Sequence, residues 1–141
     1  MQQQLEERSK KLGIKDNVLF LGQRPYDEVK QHLAKSDAFV LASYSEGRPN
    51  VVIEAMAAAL PVIASRIPGN EELIKHQLDG ILFTNDDKSD LCQKLIELTI
   101  NPKLRKELGQ NARNRIRTDK FDWQRTAKLG PVHYLVAQPG W

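Results

Sequence analysis

The sequence predicts an α/β fold, a Rossmann-like parallel sheet with helices on its faces. Short β-branched or aromatic runs alternate with segments of helical periodicity, and the runs are apolar enough to be buried strands. Such alternation forms right-handed βαβ units. At 141 residues, the chain has the length of one globular domain. Residues 1–141 are therefore expected to form a single domain.

Each strand is predicted from an apolar run that a turn-forming residue follows, such as Gly22 after the first run and Ser43 after the second. In chain order, the predicted strands are residues 18–21, 38–42, 62–64 and 81–83. The helices predicted before and between them are residues 5–12, 26–35, 51–60 and 71–76. A doubly wound sheet normally opens with a strand, whereas this chain opens with a charged helix. The sheet is therefore expected to lack its first strand.

Only helices are expected after the last of these strands. Residues 90–99 carry three leucines on one face, and Pro102 begins a second helix that runs to about residue 117. Asp122 is suited to cap a third helix. Because a proline interrupts the helical pattern shortly afterwards, this third helix is expected to end near Leu129.

Composition excludes several classes of protein. The most apolar stretch, residues 51–64, is shorter than the roughly 20 residues that cross a bilayer. The first residues are polar where a secretory signal would be apolar, so a cytoplasmic location is expected. Cys92 is the single cysteine, which excludes an internal disulfide and a thiolate metal cage. We expect it to be a small side chain of the core.

Positive charge is concentrated at the C-terminal end. Residues 101–141 contain nine Lys and Arg against three Asp and Glu, a net charge of +6. The cations of the helix that begins at Pro102 could face nucleic acid or an anionic membrane surface, or form a solvated face. No nucleic acid is expected, because this stretch has neither a recognition motif nor interleaved aromatic residues. Peripheral attachment to the inner face of a membrane remains an open alternative to solvation.

The segment of residues 43–65 carries the chemistry. In open parallel sheets, ligands bind outside the carboxyl ends of the strands, where the first part of this segment lies. Pro49 suits the first turn of a helix, so the backbone N–H groups of Asn50, Val51 and Val52 should point into the crevice. Helix N-termini attract anions, and a pyrophosphate would fit there.

Two carboxylates accompany this predicted anion site. Glu54 lies on an otherwise apolar helix, so it must be neutralised or look into a polar cleft. Its two acceptor oxygens suit two neighbouring ribose hydroxyls, although local bonds at the helix start are the alternative. Glu46 could hold sugar hydroxyls or offset positive charge at a glycosyl transfer centre, or be an ordinary loop carboxylate.

The segment SYSEGRPNVVIEAMAAALPVIAS resembles the donor-binding signature of the retaining glycosyltransferases of family 4. Its two glutamates, Glu46 and Glu54, have the family's spacing of seven intervening residues, and Glu-Ala-Met-Ala and Pro-Val-Ile-Ala follow as they do in the family. The resemblance extends over residues 5–129 through the segments DNVLFLGQR, SDAFVLAS, LIKHQLDGILF and FDW. It implies the C-terminal, donor-binding half of a two-domain GT-B enzyme.

The resemblance also implies a function for each matching residue. Glu54 would take the ribose hydroxyls of a nucleotide sugar, and backbone amides near Gly47, Asn50 and Val51 would hold its phosphate or sugar. Glu46 would touch the transferred sugar as a catalytic group but not as a nucleophile. The implied activity is transfer of a hexose-type sugar from a UDP- or GDP-linked donor with retention of configuration, without a metal. No further cofactor is implied.

This sequence departs from the family pattern at two positions. Ala59 occupies a position that is usually Gly, so backbone approach is expected to differ there. Arg48 replaces an apolar or aromatic residue and could reach a phosphate or face solvent. The acceptor groups and two cations of the family lie outside this chain, which alone is expected to be inactive. A non-catalytic nucleotide-binding module and a fragment of a GT-B sugar epimerase are the alternatives.

Overall fold

The computed structural model describes residues 1–44 and 50–118, together with the backbone of residues 133–137. Two compact units are distinguished: residues 1–29 with the strand at 133–137, and a second unit that begins at Lys30. In chain order the elements are α1 (Gln2–Lys11), β1 (Val18–Gln23), α2 (Tyr26–Lys35), β2 (Phe39–Leu41), α3 (Asn50–Ala57), β3 (Val62–Ser65), α4 (Pro68–Leu73), β4 (Ile81–Phe83), α5 (Lys88–Ile100), α6 (Pro102–Thr118) and β5 (His133–Ala137).

The second unit contains the expected parallel sheet, with the strand order β2-β3-β4. Phe39 pairs with Val62, and Ile63 with Ile81, both in parallel register. All residues of β3 and β4 are buried, as parallel strands covered on both faces require. The α/β fold class with a parallel sheet between helices is thereby confirmed.

The core of this unit shows which helices cover one face of the sheet. Leu98 of α5 and Leu108 of α6 are buried against three side chains of β3 and β4, namely Ile63, Ile81 and Phe83. Leu91 and Leu104 pack at the margin of the same cluster. Helices α5 and α6 therefore lie side by side over one face, and their opposite sides point away from the sheet.

The first predicted strand forms as β1, but its predicted place in the parallel sheet was wrong. β1 does not join the parallel sheet; it pairs antiparallel with β5 in the first unit. An antiparallel pair can leave one of its faces to solvent, and Leu19 of β1 is 40% exposed. The expectation that only helices follow residue 83 was wrong too, because β5 is a strand. The predicted helix that Asp122 would cap lies outside the described residues.

Local hydrogen bonds explain where two helices differ from their predicted bounds. α5 begins at Lys88 rather than residue 90, because the Asp87 carboxylate caps it by accepting from the Asp90 N–H at 2.9 Å. Cys92 of this helix is exposed, so its predicted burial was wrong. α4 begins at Pro68, three residues before its predicted start at residue 71, since proline suits the first helical turn.

His76 lies beyond the end of α4 and supports β4. Its Nδ1 accepts a hydrogen bond from the Leu82 N–H at 2.9 Å. Partial burial, followed by the positive charges of Arg66 and Lys94, lowers the pKa of His76. Burial and charge thus favour the neutral imidazole, the form that can accept this bond.

Ala59 terminates α3 in an unusual backbone conformation. The Leu60 N–H donates to the Ala55 carbonyl and the Ala59 N–H to the Met56 carbonyl, both at 3.0 Å, which is the Schellman pattern. This pattern requires a left-handed residue, and Ala59 supplies it with φ 60°. An alanine Cβ is strained in that conformation, which explains why a glycine is usual there in the family that the segment resembles.

Replacing Ala59 by glycine is therefore expected to raise the free energy of unfolding by about 0.5 to 1 kcal/mol, because relief of strain exceeds the added entropy of the unfolded chain. Urea unfolding followed by circular dichroism measures this. Ala58→Gly is the matched control: Ala58 has no positive φ, so glycine there should only lower stability. Equal losses in both variants would contradict the strain at Ala59.

Candidate functional site

The carboxyl ends of β2, β3 and β4 meet at one edge of the parallel sheet, where ligands of open α/β sheets bind. The segment after β2 leads through Ser43 and Tyr44 toward α3, which starts at Asn50. Arg66 follows β3, and Asp86 follows β4. These described segments at the predicted crevice all belong to the second unit.

Helix α3 presents a polar face at this edge. Its side chains Val51, Val52, Ile53, Ala55 and Met56 are buried in the core. Asn50 and Glu54 are half-buried, and residues four apart lie on the same side of a helix. The Oε2 atom of Glu54 is enclosed by the protein. Glu54 thus lies at the margin of the core, on the same face as the first residue of α3.

The first turn of α3 carries the predicted anion-binding groups. Val51 places its side chain in the core, with 3% exposure, so its contribution to a site comes from the backbone. N–H groups in the first turn of a helix form the positive end of the helix dipole. Asn50 and Val51 thus lie in the first turn of α3, and Glu54 lies one turn further along, on the same face as Asn50. The other predicted site residues, Glu46, Gly47 and Arg48, lie outside the described residues.

A buried serine, which sequence analysis did not single out, holds the segment after β2. Ser65 Oγ donates to the Ser43 carbonyl at 2.6 Å and accepts from the Ser43 N–H at 3.2 Å. Asn70, fully buried, donates from Nδ2 to the Ser65 carbonyl at 2.8 Å. These bonds fix the chain where it leaves β2 toward α3. A polar residue ending an otherwise apolar strand was the signal that could have pointed to Ser65.

Two side chains at the edge remain accessible to a ligand. Tyr44 is 76% exposed, and its hydroxyl donates to Asp86 Oδ1 at 3.2 Å, which joins the segments after β2 and β4. Arg66 pairs with Glu71 at 3.4 Å and keeps 44% of its side chain exposed. An aromatic ring and a cation beside a helix N-terminus can contact a base and a phosphate, respectively.

Two further structural observations concern metals and membranes. Within residues 1–44 and 50–118, no three His, Cys, Asp or Glu side chains come together as a metal site would require. None of the helices described is both long and apolar enough to cross a bilayer.

The sequence of the chain is similar to those of known glycosyltransferases. The family model described as Glycosyl transferases group 1 matches residues 1–115. An uncharacterized glycosyltransferase of Methanocaldococcus jannaschii is 36% identical over 115 residues, which cover 79% of this chain and 32% of that protein. N-acetyl-alpha-D-glucosaminyl L-malate synthase of Bacillus anthracis is 36% identical over 107 residues, covering 76% and 28%. The chain thus spans about a third of the length of these relatives.

Solved structures show the same fold. HepE of Anabaena in complex with UDP-glucose superposes with a TM-score of 0.75 at 26% identity, covering 82% of this chain and 32% of that chain. The C-terminal domain of a glycosyl transferase group 1 family protein from Francisella tularensis superposes with a TM-score of 0.78 at 27% identity, covering 86% and 63%. The second structure is named as a glycosyltransferase domain, and in both the match covers most of this chain.

Proposed function

Because the chain belongs to the group 1 glycosyltransferases, we propose that it supplies the donor-binding part of an enzyme that transfers a hexose-type sugar from a nucleotide sugar to an acceptor with retention of configuration. The proposal depends mainly on the placement of Glu54, half-buried on the polar face of α3 at the carboxyl edge of the sheet. HepE, which has the same fold over this chain, binds UDP-glucose.

In this proposal the first turn of α3 receives the diphosphate. Its dipole and N–H donors suit oxyanions, and no metal is assigned, since amides and basic side chains can meet phosphate charge. Glu54, one turn further along α3, accepts hydrogen bonds from the ribose hydroxyls of a UDP- or GDP-linked donor. Because its Oε2 is enclosed by the protein, the other carboxylate oxygen makes this contact. The bonds between Ser65 and Ser43 fix the end of β2, from which the chain continues toward α3.

The reaction proposed for the whole enzyme occurs on one face of the sugar. The acceptor hydroxyl oxygen forms a bond to the anomeric carbon while the bond from that carbon to the phosphate oxygen breaks. The electron pair leaves with the nucleoside diphosphate, which takes up the hydroxyl proton. Glu46 offsets the positive charge that develops on the sugar. The acceptor is held by a separate domain, so the chain alone binds donor weakly and transfers sugar slowly or not at all.

Glu54→Gln tests the site directly. Loss of a hydrogen-bonding charge costs about 1.5 to 3 kcal/mol, so the affinity of this chain for UDP or GDP should fall by roughly tenfold to a hundredfold. Isothermal titration with both nucleotides measures the effect. Glu72→Gln is the matched control, because Glu72 is an exposed carboxylate of α4 in the same unit.

Glu46→Gln separates the proposed functions of the two carboxylates. That variant should bind the free nucleoside diphosphate like the parent and lose only the additional affinity for the nucleotide sugar. If Glu54→Gln binds UDP and GDP as tightly as Glu72→Gln does, Glu54 does not hold the ribose and the proposed site is wrong.

A further inference from the structure

Helices α5 and α6 present an outer face that combines exposed aliphatic side chains with a row of cations. On α5, Ile96 is 55% and Ile100 75% exposed. Each lies two residues from the buried Leu98, and a two-residue step turns about 200° around a helix. Since Leu98 packs on the sheet, both isoleucines point away from it. These two large apolar side chains are therefore uncovered on the outer side of the second unit.

The cations lie on the same side of the neighbouring helix. They follow one another at intervals of three, seven and four residues, which places them along one side of α6; they are Lys103, Lys106, Arg113 and Arg117, all exposed. Leu108, which packs against the same sheet face as Leu98, lies on the opposite side of α6. The aliphatic pair and the cation row thus belong to a single outer face.

Little negative charge offsets this row. The acidic residue of α6 is Glu107, whose Oε1 lies 3.9 Å from Lys103 Nζ in an exposed pair, which is a weak interaction. α5 adds one exposed carboxylate, Glu97. Four cations thus stand against two carboxylates, and the face keeps a net positive charge over about four helical turns. Its charge is complementary to that of an anionic surface.

From this combination we infer that the outer face of α5 and α6 binds the surface of an anionic lipid bilayer. Cations alone would suit phosphates of any kind, whereas exposed aliphatic side chains gain from entering an acyl boundary. Long Lys and Arg stems can lie along that boundary while their charges reach lipid headgroups. Neither helix contains an aromatic residue, so the stacking contacts typical of single-stranded nucleic acid are unavailable to it. This inference does not depend on the nucleotide site.

Flotation of the full chain with vesicles tests it. The chain should float with vesicles of phosphatidylcholine and phosphatidylglycerol but not with pure phosphatidylcholine. Lys106→Glu/Arg113→Glu should lower the bound fraction by more than about tenfold. Lys10→Glu/Lys11→Glu changes the net charge equally on the exposed end of α1 and should bind like the parent. Ile96→Asn/Ile100→Asn should keep binding at low salt and lose it at high salt.

Three results would overturn the inference. The first is that the parent does not bind the anionic vesicles, and the second is that the two charge-reversal variants lose vesicle binding to the same extent. The third is that vesicle binding of the parent and of the isoleucine variant resists salt equally. If the parent binds duplex DNA but no vesicles, and the α6 variant loses the DNA binding, the face binds nucleic acid instead. All substituted side chains are exposed, so unchanged circular dichroism spectra should show that each variant is folded.

Discussion

Replacing Arg115 by methionine is expected to lower the free energy of unfolding by about 3 to 5 kcal/mol. Arg115 of α6 donates to Asp79 Oδ2 at 2.9 Å and to the Leu73 carbonyl at 2.7 Å. Asp79 is 2% exposed, so its carboxylate cannot recover water when the guanidinium is removed. Chemical denaturation followed by circular dichroism measures the loss.

Two further variants test whether the loss of stability comes from leaving the buried Asp79 charge without its partner. Arg113→Met removes an exposed cation two residues away on the same helix and should change stability by less than about 0.5 kcal/mol. Asp79→Asn, combined with Arg115→Met, removes the buried charge itself and should restore part of the stability. The hydrogen bond from the Lys75 N–H to Asp79 Oδ1, at 2.7 Å, can be kept, because the oxygen of the asparagine amide also accepts. A double variant less stable than Arg115→Met alone would show that the ion pair is not the cause.

Sequence periodicity predicted the elements of the second unit well because local pattern determines them. The strand at residues 81–83 has its predicted bounds, and the strand at 62–64 is longer by Ser65 alone. Cys92 was misplaced because its residue type, rather than its position on α5, was used: Leu91 and Leu98 define the inner side of the helix, and Cys92 lies about 100° from Leu91.

Contacts between distant parts of the chain could not be predicted in the same way. β1 finds its partner more than a hundred residues later in β5, beyond Leu129, where the last predicted helix was expected to end and no strand was predicted. The face shared by Asn50 and Glu54 follows from helical spacing and was accessible to sequence reasoning. The bonds of Ser65 to Ser43, across 22 residues, and of Arg115 to Asp79, across 36, depend on tertiary packing and had no local signal.

Replacing Gly109 by alanine is expected to destabilise the second unit by about 1 to 3 kcal/mol, even though alanine is the better helix former. A Cβ at Gly109 would contact the carbonyl oxygen of Ala59 and lie 2.9 Å from its carbonyl carbon. These are backbone atoms of the turn that ends α3, and they cannot rotate away as a side chain would. Either α6 or the end of α3 must shift. Thermal unfolding should show the loss as a lower Tm.

Gln110→Ala is the matched control, because it improves helix propensity at the next, exposed position of α6 without adding a contact. Gly109→Ala should be less stable than this control, and the difference should shrink in Gly109→Ala/Ala59→Gly, since glycine lets the turn relax. Because α3 also carries Asn50 and Glu54, a shift of its far end should weaken nucleoside diphosphate binding as well. If Gly109→Ala has the same Tm as Gln110→Ala, α6 does not approach the end of α3 this closely.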